Sequence, residues 1–193
     1  MLELTMKELR EILGCDVKII DESEKRRNIH SGDSVNVAGI EWVVLDKIGD
    51  MVMCMTKDVF YENVVFNGDE EEYINSDIRK ILNNDFLMRI RKEVNENDIF
   101  NIDAGLLSLY GIGYCGKITD KIGILNFGMY LKYNYIFRTY PTNTPYWLIT
   151  PWVNKQKGSM KVTNIYACNA VSGAYSKGDA GMRPFCVFSS SIF

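Results

Sequence analysis

Tyr146-Trp147-Leu148-Ile149-Thr150-Pro151 and, further along, Gly181-Met182-Arg183-Pro184-Phe185 decide how this chain is read. Both stretches are apolar and strand-like. The segment between them is rich in Asn, Ser, Gly and Tyr, with turns expected at Lys157-Gly158, Ser172-Gly173 and Lys177-Gly178-Asp179. Two well-specified strands thus bracket a polar, aromatic stretch, the layout of a displayed face on a fixed base. Pro141 and Pro145 mark a loop immediately upstream.

Working outward, Val35 and Val37 alternate with polar residues, as do Ile40 and Trp42, and Gly39 supplies hairpin turn chemistry between them. Lys47-Ile48-Gly49-Asp50 is the next turn, and Met51-Val52-Met53-Cys54-Met55 reads as a buried strand. Three consecutive strands predict an antiparallel meander. At Ser76 the period becomes helical, with Ile78, Ile81, Leu82 and Phe86 on one face. Ser76 is the expected N-cap, and Asn83-Asn84 the expected stop before a second helix over 85–94. Leu106-Leu107-Ser108-Leu109 fits a short strand, while the segment 122–131, with Gly123 and Gly128 inside it, fits either state. The expected class is α+β, with antiparallel strands at both ends and helices packed between them.

Two units are expected. Residues 1–28 form an attachment segment, in which Thr5-Met6-Lys7-Glu8 has a capping-box pattern and Asp21 to Arg27 is a charged linker. Residues 29–193 form the main domain. The short N-terminal helix has an apolar side that must rest either on its own domain or on a neighbouring subunit.

Composition excludes several classes. The apolar fraction is 47% and the charged fraction 24%, so the chain is neither disordered nor membrane-spanning in type. No apolar run approaches the roughly 20 residues of a transmembrane helix. A net charge of −3 gives no electrostatic case for nucleic acid. The start of the chain lacks the basic region and apolar core of a signal peptide. The five cysteines, Cys15, Cys54, Cys115, Cys168 and Cys186, are odd in number and never spaced as C-x-x-C, which argues for reduced thiols in a reducing compartment.

No catalytic constellation emerges. The single histidine, His30, sits beside the charged linker, so triads built on His are nearly excluded. Gly111-x-Gly113-x-x-Gly116 has dinucleotide-fingerprint spacing but lacks the strand and apolar helix that would give it meaning. The acidic run Gly68-Asp69-Glu70-Glu71-Glu72 lacks EF-hand spacing and reads as a solvated loop. A hydrolase or oxidoreductase would need an acid–base pair that is not visible. No metal or cofactor is expected. Arg79 and Arg183 each lie inside an apolar pattern, so each guanidinium must find acceptors on packing. With Trp42 and Trp147 they are the expected structural anchors.

Five motifs in order carry a resemblance: Gly32-Asp33 with Glu41-Trp42-Val43-Val44-Leu45-Asp46; Tyr73-x-x-Ser76-Asp77-Ile78-Arg79-Lys80-x-Leu82-Asn83-x-x-Phe86; Leu106-Leu107-Ser108; Tyr146-Trp147-Leu148; and Gly181-Met182-Arg183-Pro184. Together they resemble the DUF6273 family, domains common in Firmicutes and their phages, over residues 30–190. The resemblance implies a C-type lectin-like fold, similar to formylglycine-generating-enzyme-like proteins and retroelement variable proteins. Where family members often carry Trp-Leu-Arg-Ser-Pro, this chain has Ile149 and Thr150, and Tyr73 stands where Trp is usual. The oxidising cysteines of the formylglycine-generating enzymes and the calcium-lectin signatures have no counterpart.

What the resemblance implies is a non-enzymatic recognition domain of a virion, assembled in the bacterial cytoplasm. It would be a tail, fibre or capsid-surface component that binds a host-surface glycan or protein. Trp152, Asn154, Tyr166, Asn169 and Tyr175 are the candidate contact residues, because aromatic rings give area at low entropy cost and Asn gives adaptable hydrogen bonds. Residues 1–28 would contact other virion subunits, and homo-oligomerisation would raise avidity. The alternatives are an architectural subunit that contacts only its neighbours, and a small inhibitor of a host protein.

Overall fold

A computed structural model describes residues 29–66, 73–109, 114–151, 161–165, 171–175 and 179–193. The elements in chain order are β1 (Ser34–Val37), β2 (Ile40–Ile48), β3 (Met51–Thr56), β4 (Tyr61–Val65), α1 (Asp77–Ile81) and α2 (Leu87–Ile90). There follow β5 (Ile102–Leu107), β6 (Tyr114–Asp120), β7 (Ile122–Gly123), α3 (Phe127–Lys132) and α4 (Asn134–Thr139). Last come β8 (Tyr146–Pro151), β9 (Lys161–Ile165), β10 (Val171–Tyr175), β11 (Asp179–Met182) and β12 (Phe185–Ser189). The class is α+β, with mostly antiparallel sheets and few helices.

The opening meander forms as its alternation predicts. β1 pairs with β2 through a two-residue turn in which Ala38 and Gly39 both have positive φ, 53° and 66°. That is the backbone a right-twisted hairpin needs, and glycine supplies it without strain. β3 then pairs with β2, and the closing strand β12 pairs with β3 over Phe185↔Met55 to Ser189↔Met51. The central sheet runs β1-β2-β3-β12-β7. The closing strand therefore lies beside the third strand of the opening meander.

β2, β3 and β12 of this sheet feed two cores, one on each face. Trp42, Val44, Cys54, Cys186 and Phe188 face the first core, which α1, α2 and the turn between them cover with Ile78, Phe86, Leu87 and Ile90. Val43, Leu45, Met55, Phe185 and Val187 face the second, covered by Tyr130, Tyr133, Ile136 and Phe137 of the α3–α4 region. β8 contributes to both, with Trp147 and Ile149 in the first and Tyr146 and Leu148 in the second. Trp42 is fully buried, edge-on to Phe188 at 5.1 Å and to Phe86 at 6.0 Å. Truncating such a ring to Ala costs about 3–5 kcal/mol.

Two expectations are corrected. Asn83-Asn84 does not stop the helix: a π turn over Leu82–Phe86 carries it from α1 into α2. Asn83 is held there by the β6–β7 corner, donating Nδ2 to the Ile122 carbonyl at 2.9 Å and accepting from the Lys121 and Ile122 amides at 3.2 Å. Ser172-Gly173 is not a turn but lies within β10, paired with Asn164 and Thr163 of β9. The ambiguous segment near 122–131 resolves into β7 and α3, the latter capped by Asn126, whose Oδ1 accepts from the Met129 amide at 2.8 Å.

Candidate functional site

Each of the four expected anchors meets hydrogen-bond acceptors. Trp42 donates Nε1 to the Val37 carbonyl at 3.2 Å, and Trp147 donates Nε1 to the Val64 carbonyl at 2.8 Å, tying β8 to β4. Arg79 grips Asp120 through Nε and Nη2 and gives Nη1 to the Ile74 carbonyl at 2.7 Å. Arg183, only 2% exposed, donates to the Thr56 and Lys57 carbonyls at 3.1 and 2.6 Å. Its guanidinium lies over the rings of Tyr146, at 5.1 Å, and Phe137, at 5.7 Å. Carbonyl dipoles and ring faces thus stand in for a carboxylate. Burial lowers the pKa of Arg183, opposed by Tyr146. The Tyr146 hydroxyl is buried and has no hydrogen-bond partner of good geometry, and burial raises its pKa.

On this base stands the second sheet, in the order β10-β9-β8-β11-β4. β8 is buried along its whole length. β9 pairs with β8 at Tyr146↔Ile165 and Trp147↔Asn164, then shifts register before Pro151↔Val162. β10 completes a hairpin with β9, and Tyr175 pairs with Lys161 at its far end. β11 lies beside β8 in the parallel sense at Gly181↔Tyr146, where the Gly181 amide donates to the Pro145 carbonyl at 2.7 Å. No side chain is tolerated there: a Cβ on Gly181 would press into Val59 and come within 3.1 Å of the Tyr61 carbonyl.

Of the five expected contact residues, Tyr175 falls on β10, within the expected displayed segment. Trp152, Asn154, Tyr166 and Asn169 lie outside the described residues, as do the attachment segment 1–28 and the acidic run 68–72. The hairpin that carries Tyr175 is the outer part of its sheet, held on the core through β8 alone among the described strands.

A cleft opens beside the end of β8, the strand on which this hairpin is paired. Leu107, Ser108 and Leu109 form one wall, Asn126 and Phe127 the other, and Thr150 of β8 lies between; its volume is about 240 Å³. The wall is fixed to the strand end by the Leu109 amide, which donates to the Pro151 carbonyl at 2.8 Å. Sequence reasoning did not assign these residues a binding role. Leu107, Ser108 and Thr150 do sit within two of the ordered motifs, which was the only available signal.

Reactive groups are sparse among the described residues. Cys54 and Cys186 are buried, and desolvation pushes both thiols up, away from thiolate chemistry. His30 is exposed beside Asp33, with 3.8 Å between Nδ1 and the carboxylate. No group of three or more potential metal ligands gathers among the described residues. No helix among them is long and apolar enough to cross a membrane. No family model matches the chain, and neither a curated protein nor a solved structure is significantly similar to it.

Proposed function

We propose that this chain is a non-enzymatic recognition domain with a C-type lectin-like fold. It belongs on a phage particle or related bacterial assembly, as a tail, fibre or capsid-surface component. Its ligand is a host-surface glycan or protein, met by the face between Trp152 and Tyr175. The carrying observation is the β9–β10 hairpin, projected from β8, a strand buried along its length. A rigid base under a polar, aromatic segment suits binding by shape and stacking, because the base is not rebuilt when the ligand arrives. The ordered motifs supply the phage context.

The test is a double variant, Trp152→Ala with Tyr175→Ala, assayed for adsorption to host cells and on a glycan array. Adsorption should fall at least tenfold while circular dichroism stays that of the parent. Unchanged adsorption by the folded variant rejects this face.

A second reading, an architectural subunit that binds only its neighbours, draws support from the open outer edges of β1 and β10 among the described strands. Unpaired edges are templates for strand addition from another copy. Sedimentation at several concentrations separates the two readings: an architectural subunit self-associates with concentration and adsorbs to no host surface.

A further inference from the structure

We propose that the cleft between Leu107–Leu109, Asn126–Phe127 and Thr150 binds one neutral sugar ring. The proposal rests on the recognition reading above and assigns a ligand class to the cleft at the end of β8, the strand that carries the hairpin.

Charge narrows the ligand first. Among the described residues, none that lines the cleft carries a charge. A phosphate or carboxylate entering it would lose water without meeting a cation, and an ammonium would meet no carboxylate. The ligand is therefore neutral. Polarity narrows it again. Thr150 Oγ1 accepts from the Phe127 amide at 2.8 Å, which leaves its hydroxyl proton to be donated elsewhere. Asn126 Oδ1 accepts from the Met129 amide at 2.8 Å, so its Nδ2 is oriented by the cap and keeps its two protons. A wholly apolar ligand would cover these donors without satisfying them.

The apolar side of the cleft completes the match. Leu107 is 52% exposed, a large aliphatic side chain left at the mouth. Phe127, whose ring stacks on Tyr130 with 6.3 Å between centroids and 23° between planes, is a second large apolar residue in the lining. A pyranose has this dual character: an apolar face of C–H groups and a rim of hydroxyls that both donate and accept. The volume of about 240 Å³ lies just under the roughly 300–1,000 Å³ of pockets for drug-sized ligands, which suits a single ring and not a chain of them.

Saturation-transfer NMR on the full chain tests the proposal. The probes are the methyl glycosides of glucose, galactose, mannose and N-acetylglucosamine, with those of glucuronate and N-acetylneuraminate as charged controls. Transfer to the C–H protons of at least one neutral glycoside is expected. Leu107→Arg and Leu107→Glu should each weaken that binding at least tenfold, because either charge must be desolvated by the ring. Leu107 is half exposed, so both variants should fold, and a thermal melt checks each. Two opposite charges guard against one variant failing for another reason. Absence of transfer from every neutral glycoside overturns the proposal. So does a stronger signal from a charged control, or undiminished transfer in both folded variants. Cell adsorption distinguishes this failure from that of the broader reading. If the parent adsorbs and both Leu107 variants adsorb equally, the cleft is wrong and the recognition face stands; if the Trp152/Tyr175 variant adsorbs equally, the face is wrong whatever the cleft binds.

Discussion

Replacing Arg79 by Met tests how α1 is tied to the end of β6. Arg79 Nε lies 3.1 and 2.9 Å from the two carboxylate oxygens of Asp120, and Nη2 lies 2.8 Å from one of them. The Asp120 side chain is 6% exposed and that of Arg79 is 29% exposed. The carboxylate is thus the buried partner and the guanidinium touches water. Removing the cation strands a desolvated anion, and breaking a buried pair costs about 3–5 kcal/mol. Water at Arg79 softens the pair, so the lower end applies, about 3 kcal/mol. At about 2–4 °C per kcal/mol for a chain of this size, the melting midpoint should fall by about 6–12 °C. Asp120→Leu leaves a cation that can swing to solvent and should cost less, about 1–2 kcal/mol. The double variant removes both charges together and should lie within about 1 kcal/mol of the parent, because an apolar pair can replace a buried ionic one. Urea unfolding of the four proteins closes the cycle. The reasoning is refuted if Arg79→Met costs under about 1 kcal/mol, or if the double variant loses the sum of the two singles.

Three further outcomes follow from the same geometry. Arg183→Lys should destabilise by about 2–3 kcal/mol in urea, because an ammonium cannot reproduce the donor fork to the Thr56 and Lys57 carbonyls or the ring contacts; near-parental stability would contradict the anchor. Hydrogen bonds from Lys132 and then Tyr133 hold the Asp46 carboxyl below its ordinary range. Its contribution is therefore present above the unfolded pKa of about 3.9 and is lost as pH falls through the lower folded value, so the gap between parent and Asp46→Asn in thermal midpoint should close on acidification. A gap that widens instead would reverse the sign. Cys54 and Cys186, buried register partners with raised pKa, should resist iodoacetamide in the native protein and react in urea, as read by peptide mapping; rapid native labelling would mean the first core opens readily.

The meander was legible because its signals are local. Alternation at Val35, Val37, Ile40 and Trp42, with Gly39 at the turn, needs nothing from the rest of the chain. The same holds for Ser76, whose Oγ accepts from the Arg79 amide as an N-cap should. The helix stop was misread at Asn83, because Asn favours termini locally but here its side chain is engaged by Lys121 and Ile122, far along the chain. Ser172-Gly173 misled for a related reason: pairing with β9 outweighs the turn preference of the dipeptide. β7 is too short for any periodicity to declare itself. The anchors were readable as types, since a guanidinium in an apolar pattern must find acceptors. Their partners, Asp120 for Arg79 and two carbonyls for Arg183, were not, because long-range pairing leaves no local mark. The cleft was invisible for that reason too: its walls come from separate stretches of chain that only the fold brings together.

The side-by-side run of β11 against β8 at Gly181 and Tyr146 has an evolutionary corollary. Everything between those two residues departs and returns at neighbouring points of one sheet. Such an excursion behaves as a cassette. Lengthening it costs little, since closure entropy grows only with the logarithm of length, about 0.6 kcal/mol per doubling. Beyond Pro151, past the buried β8, its sequence is therefore free to drift or be exchanged while the frame beneath keeps folding. A lineage under pressure to follow a changing counterpart would find its raw material there.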